Sequence, residues 1–320
     1  MHYCKQSFLR LKPITTEVFV FEYSHLWNFM LFDRKFTSRD LKVIPTDKII
    51  LLNKLFSEAL HRESRSKIFG GTKASEGQWP SYAFISMHKP GGGSSYCGAS
   101  LITTRHVLTA AHCIPNIGNG SVVMLGIVDR ESAYNNSEAQ IINVKTTLVH
   151  PDYNRGASYH NDIGVVTLET PAKITTNVQL AKIRAKDESL TALPSGDITG
   201  YGTYKFIHDN QESSRYLLFA NVSIVDFKWC KDRWYKATGK QVDLWESQMC
   251  AGANGTGIGP VRAALMRVLK DGWYQVGLAS FVADGNAIMA NQAAYPGVFT
   301  RVAKFCDFIQ TSTNNEFKCE

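Results

Sequence analysis

Short apolar runs separated by turn residues fill the chain from residue 79 to near its end. Runs of this length, with Gly, Pro and Asn between them, are typical of an all-β barrel or sandwich. Lys270-Asp271-Gly272 joins the last two runs as a hairpin turn. We predict strands over residues 82–87, 98–108, 122–128, 141–149, 162–168, 197–204, 216–225, 265–269 and 273–280, and a terminal helix over 303–311.

The first 67 residues follow a different pattern. Apolar residues at positions 49, 52, 55, 56 and 60 have helical spacing, with Thr46 or Asp47 as the N-cap, which predicts a helix over residues 46–60. An earlier apolar run, residues 18–27, is interrupted by Glu22 and His25. It therefore lacks the continuous apolar stretch of a signal peptide. We expect either export by another route or a true start that differs from this one.

The composition is that of a globular protein, with 44% hydrophobic and 20% charged residues in 320. No apolar run reaches the ~18 to 20 residues that span a membrane. The net charge is +7, but residues 1–67 carry 12 Lys and Arg against 7 Asp and Glu. The rest of the chain is close to neutral, which argues against a nucleic-acid surface.

His112 stands in a short turn after a strand-like run, within Thr109-Ala110-Ala111-His112-Cys113. Cys97 precedes the histidine by fifteen residues, and Cys113 follows it directly. A bridge between these cysteines would hold the imidazole in one orientation, as a general base requires. A buried structural histidine is the alternative.

Cys97-Gly98-Ala99-Ser100-Leu101-Ile102 and the His112 turn resemble the histidine block of the chymotrypsin/trypsin family of serine endopeptidases. The other blocks follow in the family's order: Lys67-Ile68-Phe69-Gly70-Gly71 for the activation junction, His160-Asn161-Asp162-Ile163-Gly164 for the aspartate block, Gly200-Tyr201-Gly202 after the interdomain connection, and Pro296-Gly297-Val298-Phe299-Thr300 before the terminal helix.

The resemblance implies an all-β fold of two six-stranded antiparallel β-barrels, with the active site between them and a C-terminal helix. It divides the chain into an N-terminal pro-segment of unknown structure (residues 1–67), a trypsin-like protease domain (68–312) and a C-terminal tail (313–320). We expect the pro-segment to pack loosely on the domain rather than to provide a partner-binding helix.

The resemblance also implies roles for individual residues. His112 would act as general base and then general acid, and Asp162 would hold its tautomer. Cleavage after Lys67 would free the ammonium group of Ile68. The substrate-binding strand would contain Ser280, Phe281 and Val282, with Val282 narrowing the pocket. Neither a metal nor another cofactor is implied.

Seven cysteines bear on the compartment. The resemblance pairs Cys97 with Cys113 and Cys230 with Cys250; Cys306 and Cys319 are a candidate third pair, and Cys4 is left over. Structural disulfides imply an oxidising compartment, so we expect a secreted, extracellular protein. Candidate glycosylation triplets, which are compatible with that location, begin at Asn119, Asn135, Asn221 and Asn254.

The block that carries the family's nucleophile is missing. The family reads Gly-Asp-Ser-Gly-Gly in this region, but about four residues are absent between Gly259-Pro260 and Leu265-Met266, and no serine lies between Ser247 and Ser280. Thr256 is the only candidate hydroxyl, and it precedes Gly259-Pro260. In a related triad, loss of the serine costs about 2 × 10⁶ in turnover.

Three functions remain. The favoured one is a secreted, catalytically inactive homologue that binds protein substrates or proteases of an extracellular proteolytic cascade. The second is an active serine endopeptidase whose sequence here comes from a faulty gene model. The third is a structural or storage protein.

Overall fold

The computed structural model describes residues 71–154, 156, 158–207, 210–253, 263–283 and 292–320, and three strands nearer the N-terminus. The chain divides into two compact units, Met1–Arg65 and Ser66–Glu320. The predicted helix over residues 46–60, the Lys67–Ile68 junction, the segment 254–262 and Asn254 lie outside the described residues.

The first unit contains a three-stranded antiparallel sheet in the order β1-β2-β3. Its strands are β1 (Ser7–Arg10), β2 (Glu17–Tyr23) and β3 (Leu26–Phe32). The run considered above as a signal peptide falls within β2 and the start of β3.

The second unit is built from short strands, as the apolar pattern predicts. They are β4 (Thr72–Lys73), β5 (Tyr82–His88), β6 (Ser94–Thr103), β7 (His106–Thr109), β8 (Val122–Leu125), β9 (Gln140–Val149), β10 (Gly164–Leu168), β11 (Ser195–Gly200), β12 (Thr203–Ile207), β13 (Asn210–Ser213), β14 (Leu218–Val225), β15 (Gln248–Gly252), β16 (Ala263–Leu269), β17 (Gly272–Phe281) and β18 (Gly297–Arg301). The α-helices are α1 (Glu188–Thr191), α2 (Phe227–Ala237) and α3 (Cys306–Ser312), and the 3₁₀ helices are Ala111–Asn116, Ala133–Asn135 and Val302–Phe305.

Twelve of these strands form two closed six-stranded antiparallel barrels, and β12 and β13 form a separate two-stranded sheet. The first has the order β10-β7-β6-β5-β8-β9. The second has the order β11-β16-β17-β18-β15-β14 and is closed by pairing between β11 and β14, with β4 added beside β14. The predicted two-barrel fold with a C-terminal helix is therefore confirmed.

Each barrel encloses its own apolar core. Ile85, Leu101 and Val166 are buried in the first, and Leu265 and Phe299 in the second. Alternate residues of a strand point to opposite faces, so one apolar face per strand suffices to fill a closed barrel.

Several boundaries differ from the predictions. The run 98–108 is a hairpin in which β6 and β7 turn at residues 104–105. The run 122–128 ends as a strand at Leu125, because Gly126 has a positive φ of 69°. The strand predicted over 197–204 is interrupted at residues 201–202, between β11 and β12.

Strand β15 and helix α2 were not predicted from the apolar pattern. All five residues of β15 are buried, so the strand has no polar alternation to mark it. Helix α2 begins where the Asp226 carboxylate accepts a hydrogen bond from Trp229 N at 2.8 Å, a regular N-cap.

Three disulfides stabilise the second unit: Cys97–Cys113, Cys230–Cys250 and Cys306–Cys319. The last one holds residues 313–320 against the domain, where Glu320 N donates to Ile183 O at 2.9 Å. Such bridges fit an extracellular location. Among the described residues, no helix has both the length and the apolar character needed to cross a membrane.

Candidate functional site

His112 lies directly after the first barrel's strand β7. The 3₁₀ helix Ala111–Asn116 begins there, and its residues Ala111 and Cys113 are buried. The Cys97–Cys113 bridge ties this turn to β6. The turn therefore carries His112 on a rigid support at the end of a strand, with 16% of its side chain exposed.

Asp162 lies in the turn that leads into β10, and its side chain is fully buried. The turn is tight, because Asn161 has a positive φ of 56° and accepts a hydrogen bond from Ile163 N through its carbonyl oxygen at 2.8 Å. The Asn161 side chain donates to Asp152 O at 2.9 Å. An asparagine tolerates this left-handed conformation better than most residues do.

The Asp162 carboxylate joins the two barrels. Its Oδ2 accepts from His112 Nδ1 at 2.8 Å and from Ser280 Oγ of β17 at 2.6 Å, and its Oδ1 accepts from His112 N at 2.9 Å. Its main-chain oxygen accepts from Thr300 Oγ1 of β18 at 2.8 Å. A buried carboxylate needs such partners, since burial without them is costly.

This geometry determines what the histidine can do. With Nδ1–H donating to Asp162, the neutral ring keeps its lone pair on Nε2, the arrangement of a general base. Cys113 Sγ lies 3.5 Å from Nε2. His112, Cys97 and Cys113 cluster as metal ligands sometimes do, but both sulfurs are in the disulfide and do not form thiolate ligands.

Aromatic side chains line one side of His112. The ring of Tyr159 lies edge-on to the imidazole with centroids 6.3 Å apart, and 5.6 Å from the ring of Phe281. Phe281 in turn meets Trp234 of α2 at 5.2 Å. Tyr159 has a positive φ of 46°, a strained conformation for a bulky residue of the kind that concentrates at functional sites.

Sequence reasoning named Phe281 but missed Tyr159 and Trp234. The one sequence signal that Tyr159 belongs to the site was its position three residues before Asp162. No pattern connects Trp234 to the site, because α2 was itself not predicted. Val282 lies just after β17, partly buried against the second core.

Ser280, predicted to lie on the substrate-binding strand, is buried and bonded to Asp162. The segment between β15 and β16, where the family's nucleophile would stand, lies outside the described residues. Its sequence contains Thr256 but no serine.

An ion pair between Arg301 and Asp187 anchors the end of β18. Arg301 Nε donates to both carboxylate oxygens of the buried Asp187 at 3.0 Å. This hydrogen bonding raises the pKa of the Arg301 guanidinium. Thr300, whose hydroxyl donates to Asp162 O, directly precedes Arg301, so the ion pair holds the residue next to it in place.

Three candidate glycosylation triplets lie on described residues. Asn119 is exposed in a turn, and Asn135 is exposed at the end of the 3₁₀ helix Ala133–Asn135. Asn221 is also exposed, but it lies within β14, and its amide donates to Asp197 Oδ1 at 3.1 Å. The same amide also donates to Gly196 O at 3.3 Å. A glycan at Asn221 would replace one amide hydrogen, so one of these two bonds would have to break.

A comparison with protein-family models identifies the chain. The model described as Trypsin matches residues 68–309. The chain belongs to the trypsin family. The His112–Asp162 pair is therefore placed within a trypsin-family fold.

Individual trypsin-family relatives cover most of the chain. It is 31% identical over 249 residues to chymotrypsin-like elastase family member 3B of Homo sapiens, covering 77% of this chain and 88% of that protein. It is 28% identical over 266 residues to the proclotting enzyme of Tachypleus tridentatus, covering 78% and 67%. It is 27% identical over 258 residues to CLIP domain-containing serine protease B4 of Anopheles gambiae, covering 76% and 69%.

Proposed function

We propose that this protein is an extracellular, non-catalytic homologue of the trypsin-like proteases that acts by binding within a proteolytic cascade. One observation carries the proposal. The chain retains the His112–Asp162 pair at 2.8 Å, but its sequence contains no serine between Ser247 and Ser280.

The remaining hydroxyls do not replace the nucleophile. Ser280 Oγ is buried and donates to Asp162, so this hydroxyl helps to hold the His112–Asp162 pair in place. Thr256 precedes Gly259-Pro260, which match the segment before the family's serine block. Loss of the serine in a related triad costs about 2 × 10⁶ in turnover, or roughly 8–9 kcal/mol of barrier. The missing block would also supply the oxyanion-hole amide.

The cascade role rests on the relatives and on the disulfides. One relative is named a proclotting enzyme and another a CLIP domain-containing serine protease. Three disulfides suit an oxidising, extracellular compartment. Residues 1–67 would be the pro-segment, residues 68–312 the protease-like domain and residues 313–320 the tail. Cleavage after Lys67 would convert a zymogen-like form into the binding form.

A fluorophosphonate probe, which labels activated serines, tests the inactivity. We expect no labelling of the purified chain before or after trypsin cleavage, with bovine trypsin as the positive control. His112→Ala is the matched variant. Labelling that disappears in this variant would show an active triad and would overturn the proposal.

Binding is tested separately. The trypsin-processed chain is immobilised and exposed to purified trypsin-like zymogens, active proteases and their protein substrates. We expect saturable binding to at least one of them. Binding to none would count against the proposal and favour a structural or storage protein.

Sequencing the transcript over residues 252–273 tests whether the family's serine block is truly missing. We expect the encoded sequence to be unchanged. An inserted Gly-Asp-Ser-Gly-Gly block would make the natural protein a serine endopeptidase, with His112 and Asp162 in the triad.

A further inference from the structure

Helix α2 presents an unusual exposed surface beside its buried residues Cys230 and Trp234. Three exposed side chains recur at helical spacing along this surface: Trp229, Arg233 and Lys236. Trp229 is 44% exposed. A large aromatic among cations on an exposed helix face does not serve the core.

A concave site lies at this face. The cavity has a volume of about 360 Å³ and is lined by Trp229, Asp232, Arg233, Lys236, Ala237 and Tyr295. We call it the α2 pocket. It is lined by helix α2 and by Tyr295, just before β18.

Arg233 is held in place within the α2 pocket. Its Nε donates to Ala294 O at 3.1 Å, and its guanidinium lies over the ring of Tyr295, 4.6 Å from the centroid. Among the described residues, no carboxylate lies within ion-pair distance of this guanidinium. Arg233 is thus an oriented cation that keeps donors available for an incoming anion.

The neighbouring cations are differently engaged. Lys236 Nζ pairs with Asp232 at 2.7 Å, and Lys231 Nζ pairs with Asp243 at 2.9 Å. The charged side chains that line the pocket are Arg233, Lys236 and Asp232, so the lining has a net charge of +1. The α2 pocket therefore combines a net positive charge with two aromatic walls.

We propose that the α2 pocket binds an acidic segment of an extracellular protein partner. A carboxylate of the partner pairs with Arg233, and a neighbouring apolar side chain packs on Trp229. Trp, Tyr and Arg are the residues that dominate binding energy at protein interfaces. A planar guanidinium on an aromatic ring suits a carboxylate.

A densely sulfated glycan fits the α2 pocket less well. Asp232 contributes a carboxylate to the wall, which repels closely spaced sulfates. The aromatic walls also offer apolar contact area that a glycan of that kind does not use. This proposal rests on the proposed function, because it names the surface through which a non-catalytic chain would bind its partner.

Selection from a displayed library of random short peptides on the full chain tests this proposal. We expect the selected peptides to be rich in Asp and Glu next to an apolar residue. Their Kd, measured by fluorescence polarisation, should weaken at least about tenfold for Arg233→Glu and about tenfold for Trp229→Ala. Binding should also weaken with added salt.

Lys304→Glu is the matched control. Lys304 is exposed outside the pocket, and its reversal makes the same change in net charge, so Kd should stay within about twofold. Circular dichroism and thermal unfolding check each variant's fold. Should Arg233→Glu fail to fold, Arg233→Lys keeps the charge but loses the planar stacking on Tyr295, and an unchanged Kd in that variant would overturn the proposal.

The other outcomes separate the ideas. The proposal would be overturned by selected peptides that are not enriched in Asp and Glu. It would also be overturned if Arg233→Glu and Lys304→Glu weakened peptide binding equally. If the selection gave no acidic peptides but the chain bound heparin through Arg233, the occupant of the pocket would be a sulfated glycan and not a protein segment. Serine labelling with peptide binding intact would refute the non-catalytic function alone.

Discussion

Ser280→Ala removes a buried hydroxyl that donates to the Asp162 carboxylate over 2.6 Å. Ser280 is 1% exposed, so water cannot replace the hydroxyl after truncation. Hydrogen bonds to charged groups contribute about 1.5–3 kcal/mol to stability. We expect the free energy of unfolding to fall by about that amount.

Ser100→Ala is the matched control, because it truncates the same side chain in an equally buried place. Ser100 lies in β6 and is fully buried, and its Oγ has no hydrogen-bond partner among the described residues. Removing an unsatisfied buried hydroxyl is neutral or stabilising. We therefore expect Ser280→Ala to lower the free energy of unfolding by at least about 1.5 kcal/mol more than Ser100→Ala does.

Urea unfolding with the disulfides intact measures both variants. A fall of about 1.5–3 kcal/mol corresponds to a decrease in Tm of roughly 3–12 °C for a domain of this size. Equal losses for the two variants would refute the reasoning, because the effect would then come from truncating a serine and not from the carboxylate. Unchanged stability in Ser280→Ala would show that Asp162 does not need this donor.

Three further predictions concern the support of the site, a surface ion pair and the pro-segment. In Gly164→Ala the new Cβ would lie 2.8 Å from Leu148 O, so we expect a loss of about 1–3 kcal/mol in urea unfolding; wild-type stability would contradict the close packing. Arg215 hydrogen bonding lowers the pKa of Asp129 to about 2 from 3.8, so this pair stabilises the fold above about pH 4 and its contribution is lost as the pH falls towards 2. Arg215→Ala should be less stable than wild type in thermal unfolding at neutral pH, with the difference vanishing near pH 2, and a constant difference would argue against the pair. Limited trypsin digestion should release a fragment whose N-terminal sequence begins at Ile68, and another dominant terminus would count against the proposed activation site.

The strand pattern shows where sequence reasoning succeeds. Runs such as 82–87 and 141–149 lie within strands of nearly the same length, because one apolar face per strand is what a barrel requires. Strand β15 escaped prediction since all its residues are buried. Helix α2 escaped because its exposed face carries Trp229, which blurs the apolar periodicity.

The site illustrates a different limit. His112 and Asp162 are fifty residues apart in the chain, and only the family resemblance connected them before the structure did. The fold brings their side chains to 2.8 Å by pairing β7 with β10 in the first barrel. Tyr159 and Trp234 could not be assigned to the site, because their contacts depend on how the turn before β10 and helix α2 meet Phe281.

The sequence by itself determined the missing serine and the all-β pattern, since residue identity and local periodicity are properties of the chain alone. The tertiary structure decided that Asp162 is buried with donors from both barrels and that Ser280 is one of them. It also decided that Arg233 lies on Tyr295 beside a cavity. Such features arise from contacts between residues far apart in the chain, and no local pattern specifies which distant groups will meet.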